Sequence, residues 1–525
     1  MTKSARQPYR QCSQIIPIHV GLYLGSFLLG MLSVLAFAPF NLAWVSVLTL
    51  AGLFGLLSQT RWTLNPTLVG FMFGVGVFGA GVNWIYVSLH TYGGMSTSSA
   101  ALATLLFCAV LALFPALFGF VGSRLIRKTQ GVWILAPVWV TCEWLRGVLF
   151  GGFPWLTFGY TQGFTSPLSG YAPVFGVYGV SFVVAFSATM LVSCIAHPTR
   201  AWLKLGLLGS IWAAGWGLQQ LDWSQPVGSP VSVSLLQGNV PQDKKWRADE
   251  IENTLRNYVQ LARSSKSQLI VLPETAAPMF FNEIPAWFGE ELTTIALENG
   301  GDIIFGVPEQ IPGEASATLQ FNSAVSIGNV PPQRYRKQHL VPFGEFIPFV
   351  ELFSWIPEVL QIPMANFSAG ASEQPVMQIA GQRIAVNICF ENVFGEEIIR
   401  PAADATLLLN LSNLAWFGRS LAPAQFVEIS QMRAMENGRY MLLATNTGPT
   451  AIIDAKGRLV KQIAGFERGA LTGTAQGYKG RTPYNIAGNW AILVLLFGLI
   501  GMAAIGGRLA RVRTRPGNRA IGPSQ

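Results

Sequence analysis

Arg383-Ile-Ala-Val-Asn-Ile-Cys389-Phe-Glu391 is an apolar run that delivers a cysteine, and Val393-Phe-Gly-Glu-Glu-Ile-Ile399 follows it as the start of a helix. A buried strand that turns sharply just before a helix sets one side chain at the rim of a sheet. It also brings the next backbone N–H within reach of a developing oxyanion. The stretch predicts an α/β fold around it and marks Cys389 as a nucleophile.

The same alternation of strand and helix extends in both directions. Val231-Ser-Val-Ser-Leu-Leu236 alternates as a strand, and Ala248 to Ser264 carries apolar residues at Ile251, Leu255, Tyr258 and Ala262, the spacing of an amphipathic helix. Gln268-Leu-Ile-Val-Leu272 reads as a buried strand ending at Pro273-Glu274. A second helix covers about 285–299, closed by Gly300-Gly301, and Asp302-Ile-Ile-Phe305 is a strand that stops before Gly306. Downstream, Ala405–Asn410, Tyr440–Thr445 and Thr450–Asp454 are strands, and Ala422 to Glu436 is a helix with Gly438 placed to cap it. About 250 residues of this kind hold two packed sheets with helices outside.

The rest of the chain has a different composition. Of 525 residues 51% are hydrophobic and only 12% charged, with 16 Trp and 34 Phe, which is the composition of a membrane protein. Seven apolar segments precede residue 225, at about 17–37, 41–58, 67–90, 98–122, 131–150, 172–196 and 203–220, and an eighth lies at about 487–506. Each is near the roughly 20 residues a helical span requires. The expected organisation is a seven-span bundle over 1–224, a catalytic domain over 225–480, and an eighth span with a basic tail over 481–525.

Loop charges orient such a bundle. Lys3, Arg6 and Arg10 precede the first span, which is read as a retained anchor because no small-residue cleavage site ends it. Arg61, then Arg124, Arg127 and Lys128, then Arg200 and Lys204 fall in alternate connections, and the connections between them are almost uncharged. The positive-inside rule puts these loops and both termini in the cytoplasm, and the 225–480 region on the opposite side, periplasmic in a bacterium with two membranes. Arg508, Arg511, Arg513, Arg515 and Arg519 belong to the same signal, so the net charge of +9 does not point to nucleic acid.

Five cysteines make no disulfide framework. Cys12 precedes the first apolar segment, and Cys108, Cys142 and Cys194, inside or beside such segments, read as small apolar side chains. Cys389 is the only cysteine in the polar region, where a lone thiol needs a reason. No zinc-type Cys/His spacing and no phosphate-binding glycine loop is present, so neither a metal nor another cofactor is expected.

A thiol reacts as thiolate and needs a base or a cationic neighbour. Glu274, after its strand, can take the proton. Lys337, in Tyr335-Arg-Lys-Gln-His339, can stabilise a tetrahedral oxyanion together with the Phe390 backbone N–H. His339 offers a rival Cys–His scheme, since two residues from Lys337 on an extended segment it shares that face. Taken singly each residue has a plainer role: a carboxylate after a strand caps a helix, a lysine is solvated, a strand cysteine is core.

Order and context narrow the choice. Pro273-Glu274, Arg336-Lys337-Gln-His339-Leu-Val-Pro342-Phe-Gly344-Glu345 and Cys389-Phe390-Glu391 resemble the motifs of the nitrilase or carbon–nitrogen hydrolase superfamily. That resemblance implies an αββα sandwich with Glu274 as base, Lys337 as oxyanion stabiliser and Cys389 as nucleophile. With the apolar spans, Gln237-Gly-Asn-Val-Pro-Gln242, Lys245-Trp246 and Asn413-Leu-Ala-Trp416-Phe-Gly418, nearly the full chain resembles the bacterial apolipoprotein N-acyltransferases. Members of that family often carry Tyr and Asp where this chain has Phe390 and Leu414.

The family resemblance implies two displacements. A phospholipid, usually phosphatidylethanolamine, acylates the cysteine, and the α-amino group of a diacylglyceryl lipoprotein then takes the acyl chain as an amide. Glu345 and Glu391 are expected to complete the site, by orienting Lys337 or anchoring the turn, with a structural salt bridge as the plainer role. Trp246 and Trp416 are candidate substrate gates or simple packing. Glu143 and Arg146, three apart on the fifth span, are a neutralised pair, or they hold a lipid headgroup or dock the outer domain. The uncharged aromatic stretch from Gly151 to Tyr171 reads as an interfacial belt or a loop dipping into lipid. A membrane-tethered amidase needs the same triad but gives eight spans no purpose. A transporter or receptor with an inactive hydrolase-like domain predicts charged or broken helices forming a midplane site, and the charges in these spans are sparse and confined near their ends.

Overall fold

The computed structural model describes residues 12–59, 64–129, 131–313, 318–348, 351 and 366–513. Lys3, Arg6, Arg10, Arg61, Arg515 and Arg519, which contribute to the orientation reading, lie outside these residues.

Helices account for most of the chain up to residue 220: Cys12–Ser33, Ala43–Ser58, Pro66–Gly81, Thr97–Thr129, Leu135–Val148, Ala172–Ala196 and Ala201–Gln220. They are apolar outside as well as inside. Leu24, Leu28, Leu105, Leu106, Leu113 and Trp202 are all exposed, as on helices that face an apolar solvent. Glycines let the helices meet backbone to backbone, with Gly30 against Phe73, Gly70 against Pro115 and Gly119 against Pro66. Among the described residues, four helices are long and apolar enough to cross a membrane, or five if one bent pair is a single span. Ala43–Ser58 and Trp490–Ile505 are shorter apolar helices, and Ala201–Gln220, expected as the seventh span, is in neither group.

The expected continuous span over 67–90 is broken. Pro66–Gly81 stops, and Trp84–Tyr92 departs at 51°. The bend lets Trp84 pack against Trp155 and Phe417, with ring centroids 4.9 and 4.5 Å apart. It also frees the Gly81 carbonyl to accept from the Gln425 side chain.

Among the described residues fourteen strands follow in chain order: β1 Gln225–Pro226, β2 Val231–Gln237, β3 Leu269–Val271, β4 Asp302–Pro312, β5 Thr318–Gly328, β6 Arg334–Arg336, β7 Met377–Ile379, β8 Gln382–Ile388, β9 Leu407–Ser412, β10 Tyr440–Thr445, β11 Thr450–Ile453, β12 Leu459–Ile463, β13 Gly469–Ala475 and β14 Tyr478–Lys479. Two six-stranded sheets result, ordered β13-β2-β3-β4-β5-β6 and β12-β11-β10-β9-β8-β7. In each, the parallel strands sit centrally: β2, β3 and β4 in one, β8, β9 and β10 in the other. β1 pairs with β14, so the chain enters and leaves this part through one short ribbon.

Alternation along β8 shows how the layers form. Ile384, Val386 and Ile388 face the opposite sheet and join Val233, Leu235, Val271 and Leu409 in the core between the sheets. Ala385 points the other way. The outer face of the first sheet is covered by helices Ala248–Ser264 and Ala286–Glu298. The outer face of the second is covered by Gly395–Ala402 and Ala422–Asn437. That second helical layer shares one continuous apolar core with the N-terminal helices, from Phe426, Ile429 and Met432 to Trp155, Val177 and Val180. The bundle is therefore packed against one side of an αββα sandwich.

Three expectations are corrected here. The strand at Asp302 does not stop before Gly306 but runs to Pro312, paired with β5 along its whole length. Gly306 is a close-approach glycine: a Cβ there would lie 2.6 Å from the Glu274 Cα and the Pro273 carbonyl. The Gly151–Tyr171 stretch is neither an exposed belt nor a dipping loop, because Trp155, Phe158 and Tyr160 are buried. It is open at Gly151, beside the 86% exposed Phe150, and at Thr165. Third, β12 and β13, which sequence periodicity did not mark, add an edge strand to each sheet.

Candidate active site

Three strand ends meet at one rim. β3 leads to Glu274, β6 leads straight into Lys337, and β8 delivers Cys389. Cys389 has φ +53°, a left-handed conformation unusual for a residue with a side chain. It opens a tight 3₁₀ turn, Cys389–Val393, before the helix Gly395–Ala402. The sharp turn expected from the sequence is present, with the helix beginning two residues later than expected.

Glu391 holds that turn. Its carboxylate accepts from the backbone N–H of Ile388, Gln338 and His339, at 2.6, 2.7 and 3.2 Å, and from the Tyr335 hydroxyl. One buried side chain thus ties the nucleophile's strand to the segment carrying Lys337. Burial pushes the Glu391 carboxyl up to about 7 even though those backbone donors and Lys337 pull it down.

Lys337 is 1% exposed. Its Nζ lies 2.8 and 2.9 Å from the two Glu345 oxygens and 3.8 Å from Glu274 Oε1. Burial alone would lower the ammonium, but Glu345, Glu274 and Cys389 hold it well above the ordinary lysine range. Lys337 is a fixed cation at neutral pH. The Cys389 thiol is pushed up by burial and by the Glu274 carboxylate, to which it hydrogen-bonds, against the opposing pull of Lys337. The resting sulfur therefore keeps its proton and has a carboxylate in place to receive it.

Several members of the cluster carried no signal in the sequence. Asn322 on β5 donates to Glu274 Oε1 and to Glu345 Oε1, at 2.8 and 2.9 Å, and so spans the two carboxylates. The Asn413 backbone N–H donates to Glu274 Oε2 at 2.7 Å, and Asn410 donates to the Cys389 carbonyl at 3.2 Å. Lys245, also buried, donates to the Glu274 carbonyl at 3.2 Å. Burial lowers its ammonium to about 8, with Glu274 and Cys389 pulling the other way. A lone Asn in a strand resembles any edge polar residue, whereas Lys245 and Asn413 lie inside motifs that the sequence singled out and could have been found beforehand.

His339 faces away from the cysteine. Its ring stacks on Phe394 at 3.8 Å, Nδ1 pairs with Glu397 at 2.8 Å, and Nε2 lies 3.0 Å from the Gly151 carbonyl. The face-sharing argument for a Cys–His pair fails because the chain leaves β6 at Arg336 and is no longer extended at His339.

The remaining candidates sit around the centre. Phe390 contacts Phe394 edge-on and lies over Phe153, with centroids 5.2 and 6.3 Å apart. Trp246 is half-buried, directly after Lys245. Trp416 is half-buried in the short 3₁₀ segment Leu414–Phe417; its ring meets Tyr92 edge-on and its carbonyl accepts from Ser88. Leu414 is fully buried and packs against Gly448. Glu143 and Arg146 are not brought to the triad. Arg146 donates to the carbonyls of Phe153 and Trp155, and Glu143 accepts from the Phe158 N–H and the Ser181 hydroxyl. They supply the partners that allow the aromatic loop under Phe390 to be buried.

Residues 29–190 match the family model of the apolipoprotein N-acyltransferase N-terminal domain, and residues 232–484 match that of the carbon-nitrogen hydrolases. An apolipoprotein N-acyltransferase of Nitrosomonas europaea is 48% identical, over 93% of this chain and 97% of its own length. One of Methylococcus capsulatus is 43% identical, over 90% and 94%. Among solved structures, a carbon-nitrogen hydrolase superfamily protein of Xanthomonas campestris aligns with 53% of this chain and 97% of its own, at 18% identity and a TM-score of 0.36.

Proposed function

The chain belongs to the apolipoprotein N-acyltransferase family, and on that premise we propose that it transfers an acyl chain from a phospholipid, through a Cys389 thioester, to the α-amino group of a lipoprotein's N-terminal diacylglyceryl-cysteine. The observation that carries this reading is the buried Lys337, flanked by Glu274 and Glu345, next to a cysteine on a strained turn. The cluster provides base, oxyanion stabiliser and nucleophile without any further group.

In the first displacement Glu274 takes the thiol proton as sulfur attacks the ester carbonyl. Lys337 Nζ and the Phe390 backbone N–H stabilise the oxyanion. The C–O bond breaks, Glu274 returns the proton to the departing hydroxyl, and a lysophospholipid leaves. In the second, the neutral α-amine attacks the thioester and Glu274 receives its proton. The C–S bond breaks, and the proton passes to the Cys389 sulfur. Amide and free thiol result. Glu345 orients Lys337 and Glu391 anchors the turn; both are positioning residues.

The donor in this reading is phosphatidylethanolamine. The chain crosses the bacterial inner membrane eight times, over 1–224 and 481–525, with both termini cytoplasmic and residues 225–480 in the periplasm. Trp246 and Trp416 border the access to the site and bury the acyl chain, keeping water from the thioester. Glu143 and Arg146 hold the Phe153–Phe158 segment beneath Phe390 and do not grip a headgroup.

The test uses purified protein with acyl-labelled phosphatidylethanolamine. A hydroxylamine-sensitive label on Cys389 is expected, lost in Cys389→Ala and released as amide by a diacylglyceryl peptide with a free α-amine. Absence of labelled enzyme with any phospholipid would overturn the thioester. Release by water but not by amine would assign the chain to a hydrolase.

A further inference from the structure

Behind the nucleophile's turn lies a cavity of about 220 Å³, between the N-terminal helices and the sandwich. Glu274, Lys337 and Cys389 do not line it; the stacked pair His339 and Phe394 does, on the side of Phe390.

Its polar groups are incompletely satisfied in both senses. Arg433 is fully buried and uses Nη2 on Glu436, at 2.9 Å, yet its Nε and Nη1 find no partner among the described residues. Nη1 lies against Gly395, the first residue of a helix whose opening turn lines the cavity, and a Cβ at that position would strike it. Opposite charge is present too: Glu396 and Glu397 line the same space, and Glu397 Oε2 and Asn489 Oδ1 are unpartnered acceptors. A simple anion would meet two carboxylates, and a simple cation would leave the guanidinium nitrogens unmet. A molecule bearing both charges meets both needs. Around the cavity Phe150, Ile486 and Trp490 present exposed apolar side chains, suited to a tail embedded in a bilayer.

We propose that this cavity binds the headgroup of a zwitterionic phospholipid, with phosphate on Arg433 and primary ammonium on Glu397 and Asn489, as a site separate from that of the acyl donor. The inference rests on the membrane placement proposed above but not on the thioester. Occupancy would press on the Phe394–His339 stack, which adjoins the turn carrying Cys389.

The experiment is photo-crosslinking of the full-length protein in vesicles. The probes are phosphatidylethanolamine and phosphatidylglycerol, each with a diazirine near the glycerol. Labelling of peptides covering 393–397 or 484–490 is expected with the first probe and several-fold less with the second. It should persist in Cys389→Ala and fall several-fold in Glu397→Gln, a mild change that spares the buried Arg433–Glu436 pair. No labelling there with either probe means a water-filled cavity and overturns the proposal, as does equal labelling by both. A non-cleavable diether phosphatidylethanolamine that abolishes the label and competes with the donor for thioester formation over the same concentration range would assign the label to the donor site and also overturn it. Displacement of the lipid by an equal concentration of glycerophosphoethanolamine would overturn the lipid as occupant. Thioester on Cys389, measured in the same samples, reports independently on the reaction.

Discussion

Two buried lysines flank Glu274 and differ in what surrounds them. Lys337 has two carboxylates within 4 Å, whereas Lys245 has a carbonyl and the more distant field of Glu274 and Cys389. The first is a permanent charge; the second loses its proton near pH 8. Its folded pKa is below its ordinary 10.5, so between about 8 and 10.5 the unfolded chain binds more protons and stability rises with pH through that window. Below about 8 both states are protonated and the cost of burying the charge is at its fullest. Lys245→Met should therefore narrow its stability gap to, or exceed, wild type at pH 7 and lose that advantage by pH 10, as read from the difference in Tm across the range. A constant difference would mean that Lys245 does not titrate in the fold. Its acyl-enzyme rate should fall at pH 7, because one of the two cations beside Glu274 is gone.

Glu274 and Cys389 were legible at this scale because each follows a strand, and a polar residue at that position lies at a sheet's rim; Lys337 stood out only through its motif, since β6 before it carried no strand pattern. Asn322 was not legible. It is placed by long-range pairings, β5 with β4 and β6, that no local pattern encodes.

At the scale of elements, Gly306 has a specific role. It lies mid-strand under the turn that carries Glu274, and its neighbours there are backbone atoms that cannot rotate away. Gly306→Ala should displace Glu274 and lower acyl-enzyme formation by more than about tenfold, since misplacing a reacting group by an ångström or less costs rate steeply. Gly289, on the helix Ala286–Glu298, has nothing within 4 Å of its would-be Cβ. Gly289→Ala should leave the rate unchanged and raise stability by about 0.5–1 kcal/mol, checked by denaturation in detergent. Equal behaviour of the two variants would show that the close approach at Gly306 is unimportant. The glycine was visible in the sequence, but its reading as a strand end was the local default. What decided otherwise was the eleven-residue pairing with β5.

A similar limit applies to the Pro66–Tyr92 helices. Apart from Asn83, at the bend itself, the run up to Val87 is apolar, so length alone suggested one straight span. The bend is decided by partners far along the chain, Trp155, Phe417 and Gln425. The aromatic loop was misjudged for the same reason: Trp and Phe without charge suit a membrane interface and a protein core equally. The buried Arg146 and Glu143 decide for the core by taking up backbone groups.

For the whole molecule, apolar composition and strand–helix alternation distinguished the two parts, and the carbon-nitrogen hydrolase fold of the second is carried by residues 232–484. Hidden from sequence was the shared core, in which Ala422–Asn437 serves as an outer layer of the sandwich and as a neighbour of the helical bundle. The proposed orientation can be tested without activity. Single cysteines at Ser264 and Lys128 should behave oppositely toward an impermeant maleimide on intact spheroplasts. The first should be labelled at once and the second only after permeabilisation. The reverse pattern would invert the topology.

The β1–β14 ribbon gives the assembly a mechanical property. Gln225 faces Lys479 across it, so a chain segment of some 250 residues begins and ends at the same spot. Such a segment is an insert with one covalent stalk: traction on the flanking helices is shared between two short strands and the packed core that joins the helix Ala422–Asn437 to the bundle. The same closure makes the segment transferable. Grafted at this ribbon onto another pair of adjacent helices it would keep its internal register, and the contacts it makes with the bundle through His339, Phe390, Trp416, Phe417 and the helix Ala422–Asn437 would have to be rebuilt.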